Sequence, residues 1–264
     1  MTTCLVALGS NLGDRAAMLD AAIRDLDSSP DVESLRASAW QLTLPVGGSA
    51  TQREFLNGAA LVETSLSARG LLTLLQEIET RHGRKRHERW GSRTLDLDLL
   101  LYGDAVVNSP ELTVPHPRMS FRRFVLEPAV EIAAGVIHPT IGWTLERLVD
   151  HLDSGADRIA IVSRDESARH RLAATLGERY GANGCEPVAV DAPLWPASST
   201  TWLEMPATHN SNGHPKLTVL LDDAVSEEGL GPTLRIGPVS RSEVECEIFA
   251  AIEAVWPRLG PLGS

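Results

Sequence analysis

The stretch Arg81–Tyr102, RHGRKRHERWGSRTLDLDLLLY, joins a basic segment to a segment in which leucine and aspartate alternate. Residues 81–93 contain six of the 24 Lys and Arg residues of a chain whose formal net charge is −11. The alternation over residues 95–99 has a period of two, which predicts a β-strand with Asp96 and Asp98 on one face. Their Cα atoms are expected to lie roughly 6.5–7 Å apart, because each strand residue rises about 3.3 Å.

A basic segment directly before a carboxylate pair indicates a site for a polyphosphate. Two carboxylates at this spacing can bind one or two Mg²⁺ ions, since metal pairs in phosphate-handling sites lie about 3.5–4 Å apart. Each pattern alone has another interpretation. The basic run could be a solvated charged surface or a nucleic-acid site. The two aspartates could lie on the solvent-exposed face of a half-buried sheet. The two patterns are adjacent and the rest of the chain is acidic, which favours the phosphate site.

Length and composition predict one large domain or two small ones. The chain has 264 residues and a hydrophobic content of 43%, which suffices for a buried core. A sequence pI near 5.2 argues against nucleic-acid and membrane-surface partners. The three cysteines are far apart and fit neither a disulfide framework nor a zinc site, so a cytoplasmic location is expected. Neither a signal peptide nor an 18-residue apolar run is found, so no membrane span is predicted.

The mixed strand and helix patterns of residues 1–153 predict an α+β domain in which helices cover one sheet. The segment 9–13 is expected to form a tight turn, with Asn11 or Asp14 as the cap of the helix that follows. Ser67 is expected to cap another helix, which Gly83 ends. The predicted strands are 3–8, 32–41 and 55–64, and the predicted helices are 14–27, 67–83, 121–134 and 145–152.

Residues 154–264 predict a second, smaller domain that is α/β-like and of unassigned role. The predicted elements are strands at 158–163, 186–190 and 216–221, helices at 166–180 and 241–255, and a long loop at 192–214. Asp222-Asp223 after an apolar strand resembles the end of a Walker B motif. The chain has no Walker A sequence, so a structural role for these aspartates is favoured.

Four motifs in order along residues 2–152 resemble the hydroxymethyl-dihydropterin pyrophosphokinases of folate biosynthesis, and the RWGSRTLDLDLLL string is the most specific part. The motifs are Leu8-Gly9-Ser10-Asn11-Leu12-Gly13, Phe55-Leu56-Asn57, the segment from Gly83-Arg84 to Asp98, and Val114-Pro115-His116-Pro117-Arg118-Met119. The resemblance implies a ferredoxin-like sandwich of a mostly antiparallel sheet with helices. It also implies transfer of the β,γ-pyrophosphoryl group of ATP to 6-hydroxymethyl-7,8-dihydropterin, with release of AMP.

The resemblance also implies roles for individual residues. Asp96 and Asp98 would bind two Mg²⁺ ions, with ATP as the co-substrate, and Arg84 and Arg93 would complete the catalytic set. The residues implied for ATP are Arg84, Arg89, Arg93, Thr113, His116 and Arg122. The residues implied for the pterin are Thr43, Val46, Phe55, Asn57, Trp90 and Phe124. Whether Asp98 also accepts the hydroxyl proton stays open.

This chain departs from the family pattern at some of these positions. Phe55 stands where the family often has Tyr, which keeps the ring and removes a hydroxyl, and Glu111 stands where an Arg sometimes helps to hold ATP. Two alternatives remain. In the first, the C-terminal region binds a second nucleotide or a protein partner, or self-associates. In the second, the chain is a non-catalytic pterin-binding or partner-docking protein that lost activity, against which the intact Asp96, Asp98, Arg93 and His116 argue.

Overall fold

A computed structural model of the chain describes residues 1–46, 53–84, 94–185, 199–206, 214–222, 227, 229–236 and 240–256. Contacts divide the chain into two units. Unit 1 comprises Met1–Met119, Phe124–Pro139 and Thr144–Glu146, and unit 2 comprises Ser120–Arg123, Thr140–Trp143 and Arg147–Ser264. The chain therefore contributes three segments to unit 2, whereas the sequence predicted a single boundary after residue 153.

Unit 1 contains an antiparallel sheet in the order β2-β4-β1-β5, with β3 paired to β4. Its strands are β1 Thr2–Ser10, β2 Val32–Ala37, β3 Gln41–Thr43, β4 Phe55–Thr64 and β5 Asp96–Tyr102. Two further short strands, β6 Val107–Asn108 and β7 Thr113–Val114, pair with each other. The α+β prediction is confirmed, and β4 has the predicted bounds.

The helices of this part of the chain are α1 Arg15–Asp27, α2 Ala68–Arg81 and α3 Arg123–Ala133. The Asp14 carboxylate accepts a hydrogen bond from the Ala17 backbone N–H at 3.1 Å, and the Ser67 hydroxyl accepts one from Gly70 N–H at 3.1 Å. Each side chain thus satisfies a donor that the first helical turn leaves without an intrahelical partner. The helix predicted from residue 121 begins at Arg123, because residues 119–121 form a 3₁₀ turn.

The core of unit 1 lies between the sheet and helices α1 and α2. Alternate residues of β1 point into it, and they pack with leucines and an isoleucine from both helices. The buried members from these three elements are Cys4, Val6, Leu8, Leu19, Ala22, Leu26, Leu71, Leu75 and Ile78. Burial, assisted by the charge of Glu63, raises the pKa of the Cys4 thiol to about 12, so this thiol stays protonated and unreactive at neutral pH.

Two local predictions in unit 1 need correction. Gly9 and Ser10 were expected in a turn, but both belong to β1 and pair with Asn57 and Leu56. The predicted strand 32–41 divides into β2 and β3, because at Ser38 a side-chain hydrogen bond takes the place of a backbone hydrogen bond between the strands. Its hydroxyl accepts a hydrogen bond from the Ala59 N–H at 2.9 Å, and its own N–H donates to the Ala59 carbonyl at 2.9 Å.

Unit 2 contains a mixed sheet in the order β12-β11-β8-β10-β9. Its strands are β8 Ala156–Val162, β9 Asn183–Gly184, β10 Thr200–Glu204, β11 Pro215–Leu220 and β12 Thr233–Arg235, and its helices are α5 Glu166–Tyr180 and α6 Arg241–Val255. Helix α4, Leu145–Ser154, has most of its residues in this unit. The prediction of a second sheet-containing region is confirmed, and none of the helices within the described ranges is long and apolar enough to span a membrane.

The loop predicted at 192–214 is wrong for its central part, because Thr200–Glu204 forms strand β10. Two threonines and a tryptophan favour extended backbone, and the segment pairs antiparallel with β8, with Trp202 opposite Ala160. This pairing joins residues about 40 positions apart, so no local pattern specifies it. The strand predicted at 186–190 lies outside the described residues.

In unit 2, His151 lies in an aromatic cluster. Its ring centroid is 5.1 Å from that of Trp143 and 6.2 Å from that of His214, and its Nε2 is 3.0 Å from the Pro215 carbonyl oxygen. Burial lowers the pKa of His151, and the nearby His214, Lys216 and Arg147 lower it further, against the raising effect of the Pro215 carbonyl. The folded protein therefore favours the neutral form of the His151 imidazole.

The free energy of unfolding of unit 2 is expected to fall as the pH drops below about 6.5, the ordinary pKa of histidine. The unfolded chain takes up the proton at that pH, whereas folded His151 takes it up only at lower pH. The stability from this residue is thus present above pH 6.5 and is lost below it, with a slope of at most about 1.4 kcal/mol per pH unit for one proton. Hydrogen exchange of unit 2 amides across pH 5–8 measures it.

His151→Gln is expected to flatten this pH dependence, because the amide can still donate to the Pro215 carbonyl but does not titrate. His170→Gln is the matched control, since His170 is exposed on α5. An unchanged slope in His151→Gln would show that other groups cause the acid sensitivity.

Candidate active site

Asp96 and Asp98 lie on the same face of β5, as the alternation predicted. Both side chains are partly exposed, while Leu97 and Leu99 between and after them are buried in the core on the other face. The side chain of Asp98 is the more open, at 41% exposed against 20% for Asp96. This strand therefore presents two carboxylates to solvent on the face opposite α1 and α2.

Strand β1 separates these carboxylates from Asn57 and supplies small residues between them. Gly9 pairs with Asn57 on one side and with Asp96 on the other, and Ala7 pairs with Asp98. Paired residues share a face of the sheet, so these residues form one continuous surface. Asn57 and Asp96 are two strands apart, roughly 10 Å at about 4.8 Å per strand spacing.

Asn57 is held in a fixed orientation on β4. Its amide Nδ2 donates to the Thr43 hydroxyl at 2.7 Å, and the residue is 7% exposed. Its Oδ1 lies over Gly9, where a Cβ atom would be only 2.7 Å away. Gly9 is therefore required by the close approach of the asparagine. Phe55 and Thr43 are Cα partners on β4 and β3, and both side chains are half-buried.

Arg84 reaches the carboxylate face from the end of α2. Gly83, with φ at 78°, reverses the chain there, and the N–H groups of Gly83 and Arg84 donate to the carbonyls of Thr80 and Glu79. These two bonds form a Schellman motif, which directs Arg84 back towards the helix end. The Arg84 Nη1 pairs with Glu79 Oε1 and lies 2.9 Å from Asp96 Oδ1.

His116 faces Asp98 from the segment after β7. Its backbone N–H donates to the Leu100 carbonyl at 2.8 Å, which fixes the segment against β5. Its Nδ1 accepts a hydrogen bond from Arg118 N–H at 3.2 Å, so the neutral ring carries its proton on Nε2. That Nε2 is 4.0 Å from Asp98 Oδ2. The ring thus presents a donor beside the second carboxylate.

The structure brings together one part of the predicted site. Asp96, Asp98, Arg84 and His116 form one group, and Asn57, Thr43 and Phe55 lie on the same sheet. Thr113 on β7 is exposed, Val46 and Phe124 are half-buried, and Arg122 belongs to unit 2, so their roles stay predictions. Arg89, Trp90 and Arg93 lie outside the described residues.

Glu79 is a residue that the sequence analysis missed. It is 2% exposed, yet it lies on α2 directly after the buried Ile78, on the side of the helix that faces the core. A glutamate eight positions after Leu71 continues the helical spacing of buried residues, and that placement was the signal that could have identified it.

Asp222 is used within unit 2 to hold the segment after β8. Its Oδ2 accepts hydrogen bonds from the Ser163 hydroxyl at 2.9 Å and from the Arg164 N–H at 2.7 Å. Asp165 caps α5 by accepting from Ala168 N–H at 2.9 Å. These contacts give the Asp222 carboxylate a structural role in the loop between β8 and α5, which agrees with the interpretation favoured from the sequence.

No three His, Cys, Asp or Glu side chains come together as a metal site within the ranges that the structure describes. Asp96 and Asp98 therefore provide two protein carboxylates and leave other coordination positions to different ligands. Mg²⁺ in phosphate-handling sites uses one or two carboxylates together with substrate phosphates and water. The donor set fits such an ion.

Comparison with known proteins identifies relatives for the first part of the chain. Residues 5–134 match the family model of 7,8-dihydro-6-hydroxymethylpterin-pyrophosphokinase (HPPK). A Synechocystis protein named 2-amino-4-hydroxy-6-hydroxymethyldihydropteridine pyrophosphokinase is 40% identical over 152 residues, 58% of this chain and 77% of that protein. The Haemophilus influenzae protein of the same name is 38% identical over 154 residues, 57% of this chain and 96% of its own length.

Among solved structures, Plasmodium falciparum HPPK-DHPS with pteroate aligns at a TM-score of 0.44 and 12% identity. The alignment covers 68% of this chain and 44% of that one, so this chain spans less than half of that protein. The sequence relatives, and not this likeness, show the family. Since the Haemophilus influenzae relative is covered almost entirely at 38% identity, the chain belongs to the 7,8-dihydro-6-hydroxymethylpterin-pyrophosphokinase family.

Proposed function

We propose that this chain transfers the pyrophosphoryl group of ATP to the hydroxymethyl oxygen of 6-hydroxymethyl-7,8-dihydropterin and releases AMP. The observation that carries the proposal is the group on β5, where two carboxylates, Arg84 and His116 lie together. The names of the relatives agree with it. Transfer of this kind depends on positioning and charge neutralisation, and these side chains supply both.

We propose that Asp96 and Asp98 hold Mg²⁺, two ions by family resemblance, together with the phosphates of ATP. The support is the chemistry of the donors: the carboxylates of two partly exposed side chains on one strand face, beside the small residue Ala7 of the neighbouring strand. When bound, the metal neutralises phosphate charge and fixes the geometry of the reacting oxygens. Arg84 now pairs with Asp96, so it is already placed to contact a phosphate that approaches this carboxylate.

The arginine and the histidine act on the developing negative charge. A guanidinium presents several N–H donors in a plane, which suits phosphate oxygens. His116 offers its Nε2–H beside Asp98, while the Arg118 N–H fixes the orientation of the ring through Nδ1. Donors that are placed before reaction need no reorganisation when charge builds up on the bridging oxygen to AMP.

We propose that Asn57 recognises the edge of the pterin. An amide has both donor and acceptor groups, which match a heterocycle edge that also presents both. The Thr43 hydroxyl accepts from Asn57 Nδ2, which orients the amide before the substrate binds. Phe55, which is opposite Thr43, is proposed to stack on the ring together with Phe124.

Gly9→Ala is expected to raise the KM for the pterin by about tenfold, the loss expected for one well-placed hydrogen bond, with a smaller effect on kcat. The added methyl would lie 2.7 Å from Asn57 Oδ1, so the amide must turn away and lose its bond to Thr43. Steady-state kinetics with the pterin varied measures this. Gly135→Ala is the matched control, since a Cβ there meets no atom within 4 Å. If the KM of Gly9→Ala for the pterin equalled that of Gly135→Ala, the proposed role of Asn57 in pterin binding would be contradicted.

For the architecture, we propose that unit 1 is the ferredoxin-like sandwich of the family. The order β1-α1-β2-β4-α2-β5 along the chain, with the antiparallel order β2-β4-β1-β5 across the sheet, supports this proposal. For residues 154–264, a second nucleotide site, a protein partner or self-association stays a prediction. The hydrogen bonds at Asp222 favour a structural role there over nucleotide binding.

The test of the proposed function is product identity. The protein is incubated with ATP, Mg²⁺ and 6-hydroxymethyl-7,8-dihydropterin, and nucleotide products are separated by chromatography. AMP that forms only when the pterin is present supports the proposal. ADP as the product, or AMP formation independent of the pterin, would contradict it.

A further inference from the structure

We infer that Glu79 is a positioning residue for the transfer reaction: its buried carboxylate fixes the Arg84 guanidinium and the β5 backbone between the two aspartates. The inference rests on the proposed function, because it assigns a role to a residue behind the site. It starts from one atom, Glu79 Oε1, which accepts from both Arg84 Nη1 and the Leu97 N–H, the latter at 2.8 Å.

The helix end places Glu79 and Arg84 together without help from other elements. In the Schellman motif the residue after the glycine bonds back to the helical residue five positions earlier, and here these are Arg84 and Glu79. Their N–H and carbonyl groups lie 3.0 Å apart, and their side chains pair as well. Arg84 is thus attached to Glu79 through both its backbone and its side chain.

Because Glu79 is buried, its carboxylate requires a partner of opposite charge. Its side chain is 3% exposed and that of Arg84 is 17% exposed. A buried carboxylate is stable only when its charge is compensated and its oxygens are hydrogen-bonded. Arg84 provides the compensating charge, and the Leu97 N–H provides a further donor. The glutamate therefore keeps the guanidinium at this point whether or not Asp96 is engaged elsewhere.

The same carboxylate also reaches the strand that carries both aspartates. Leu97 lies between Asp96 and Asp98, and its N–H points to Glu79. Glu79 is thereby connected to the backbone at the centre of the carboxylate pair and to the arginine beside it. If Asp96 engaged a metal ion instead of Arg84, the bond to Glu79 would keep the guanidinium in place for a phosphate.

The test is a double-mutant cycle of Glu79→Gln and Arg84→Ala, with kcat and both KM values measured by AMP formation. The amide oxygen of Gln can still accept from Leu97 N–H, but Arg84 loses its charged partner at the helix end and keeps the pairing with Asp96. We expect kcat to fall by about tenfold, with KM for ATP and pterin changed by less than about twofold. In the Arg84→Ala background, Glu79→Gln should cause no further loss of kcat, because Glu79 acts through Arg84.

Glu77→Gln is the matched control, since Glu77 is exposed on the same helix and the same charge is removed. A kcat for Glu79→Gln equal to that of Glu77→Gln, or losses that multiply in the double mutant, would overturn the inference. The inference would also be overturned if thermal unfolding showed that a smaller folded fraction of the variant accounts for its whole loss of kcat. If Glu79→Gln does not fold, Glu79→Asp is used in its place. This variant keeps the charge, but its side chain is shorter by one methylene and the carboxylate lies farther from Arg84. A kcat equal to that of the wild-type protein would then overturn the inference.

The proposed function and the role of Glu79 are contradicted by different results. Wild-type protein that forms no pterin-dependent AMP contradicts the proposed function. Active wild-type protein with an inert Glu79→Gln substitution contradicts only the positioning role.

Discussion

Asp98→Asn is expected to lower kcat for AMP formation by about 10³-fold, because it removes a charged oxygen donor from the site proposed for Mg²⁺ and the polyphosphate. Asn has the same shape, and Asp98 is 41% exposed, so the fold should be retained. Asp96→Asn is expected to have a comparable effect. Raising the Mg²⁺ concentration should restore part of the activity if the defect is weaker metal binding.

Asp104→Asn serves as the control for Asp98→Asn. Asp104 is exposed in the turn directly after β5, and its substitution removes the same charge a few residues away. Its kcat should equal that of the unmodified protein. An Asp98→Asn variant that turns over as fast as Asp104→Asn would exclude Asp98 from the chemistry.

Arg84→Ala is expected to have two separable effects. The kcat should fall by about 10²-fold, as it does when one preorganised donor to the transition state is removed. The free energy of unfolding should also fall by about 3 kcal/mol, because the buried Glu79 carboxylate then loses the cation that pairs with it. Denaturant unfolding and steady-state kinetics measure the two effects independently.

Arg81→Ala is the control for this variant. Arg81 also lies at the end of α2, and its ion pair with Asp25, at 3.3 Å, joins side chains that are 55% and 32% exposed. Exposed pairs contribute about 0–1 kcal/mol, so its removal should change stability little and kcat not at all. If Arg84→Ala and Arg81→Ala were equally stable and equally active, the buried pair would have no special role.

Much of unit 1 could be predicted from local patterns. Asp14 and Ser67 mark helix starts because their side chains accept hydrogen bonds from the first turn, and Gly83 marks a helix end because it adopts a positive φ. The leucine–aspartate alternation specified which face of β5 carries the carboxylates. These features depend on residues within a few positions of one another.

Features that depend on distant partners were not predictable in the same way. Strand β10 exists because Trp202 and its neighbours pair with β8, and Gly9 is needed because Asn57 of another strand lies over it. Glu79 shows the limit for the site: its buried position fits a helix face, but its partner on β5 is known only once the helix and strand are packed. The motif resemblance supplied the pterin and AMP, which physical patterns alone did not indicate.

The most direct test of metal and triphosphate binding at Asp96 and Asp98 is a crystal structure of the protein with Mg²⁺ and a non-hydrolysable ATP analogue. We expect the carboxylates of Asp96 and Asp98 both to bind the metal, with Arg84 still paired to Glu79 and no longer to Asp96. Metal and triphosphate bound elsewhere, with both aspartates turned away from them, would contradict it.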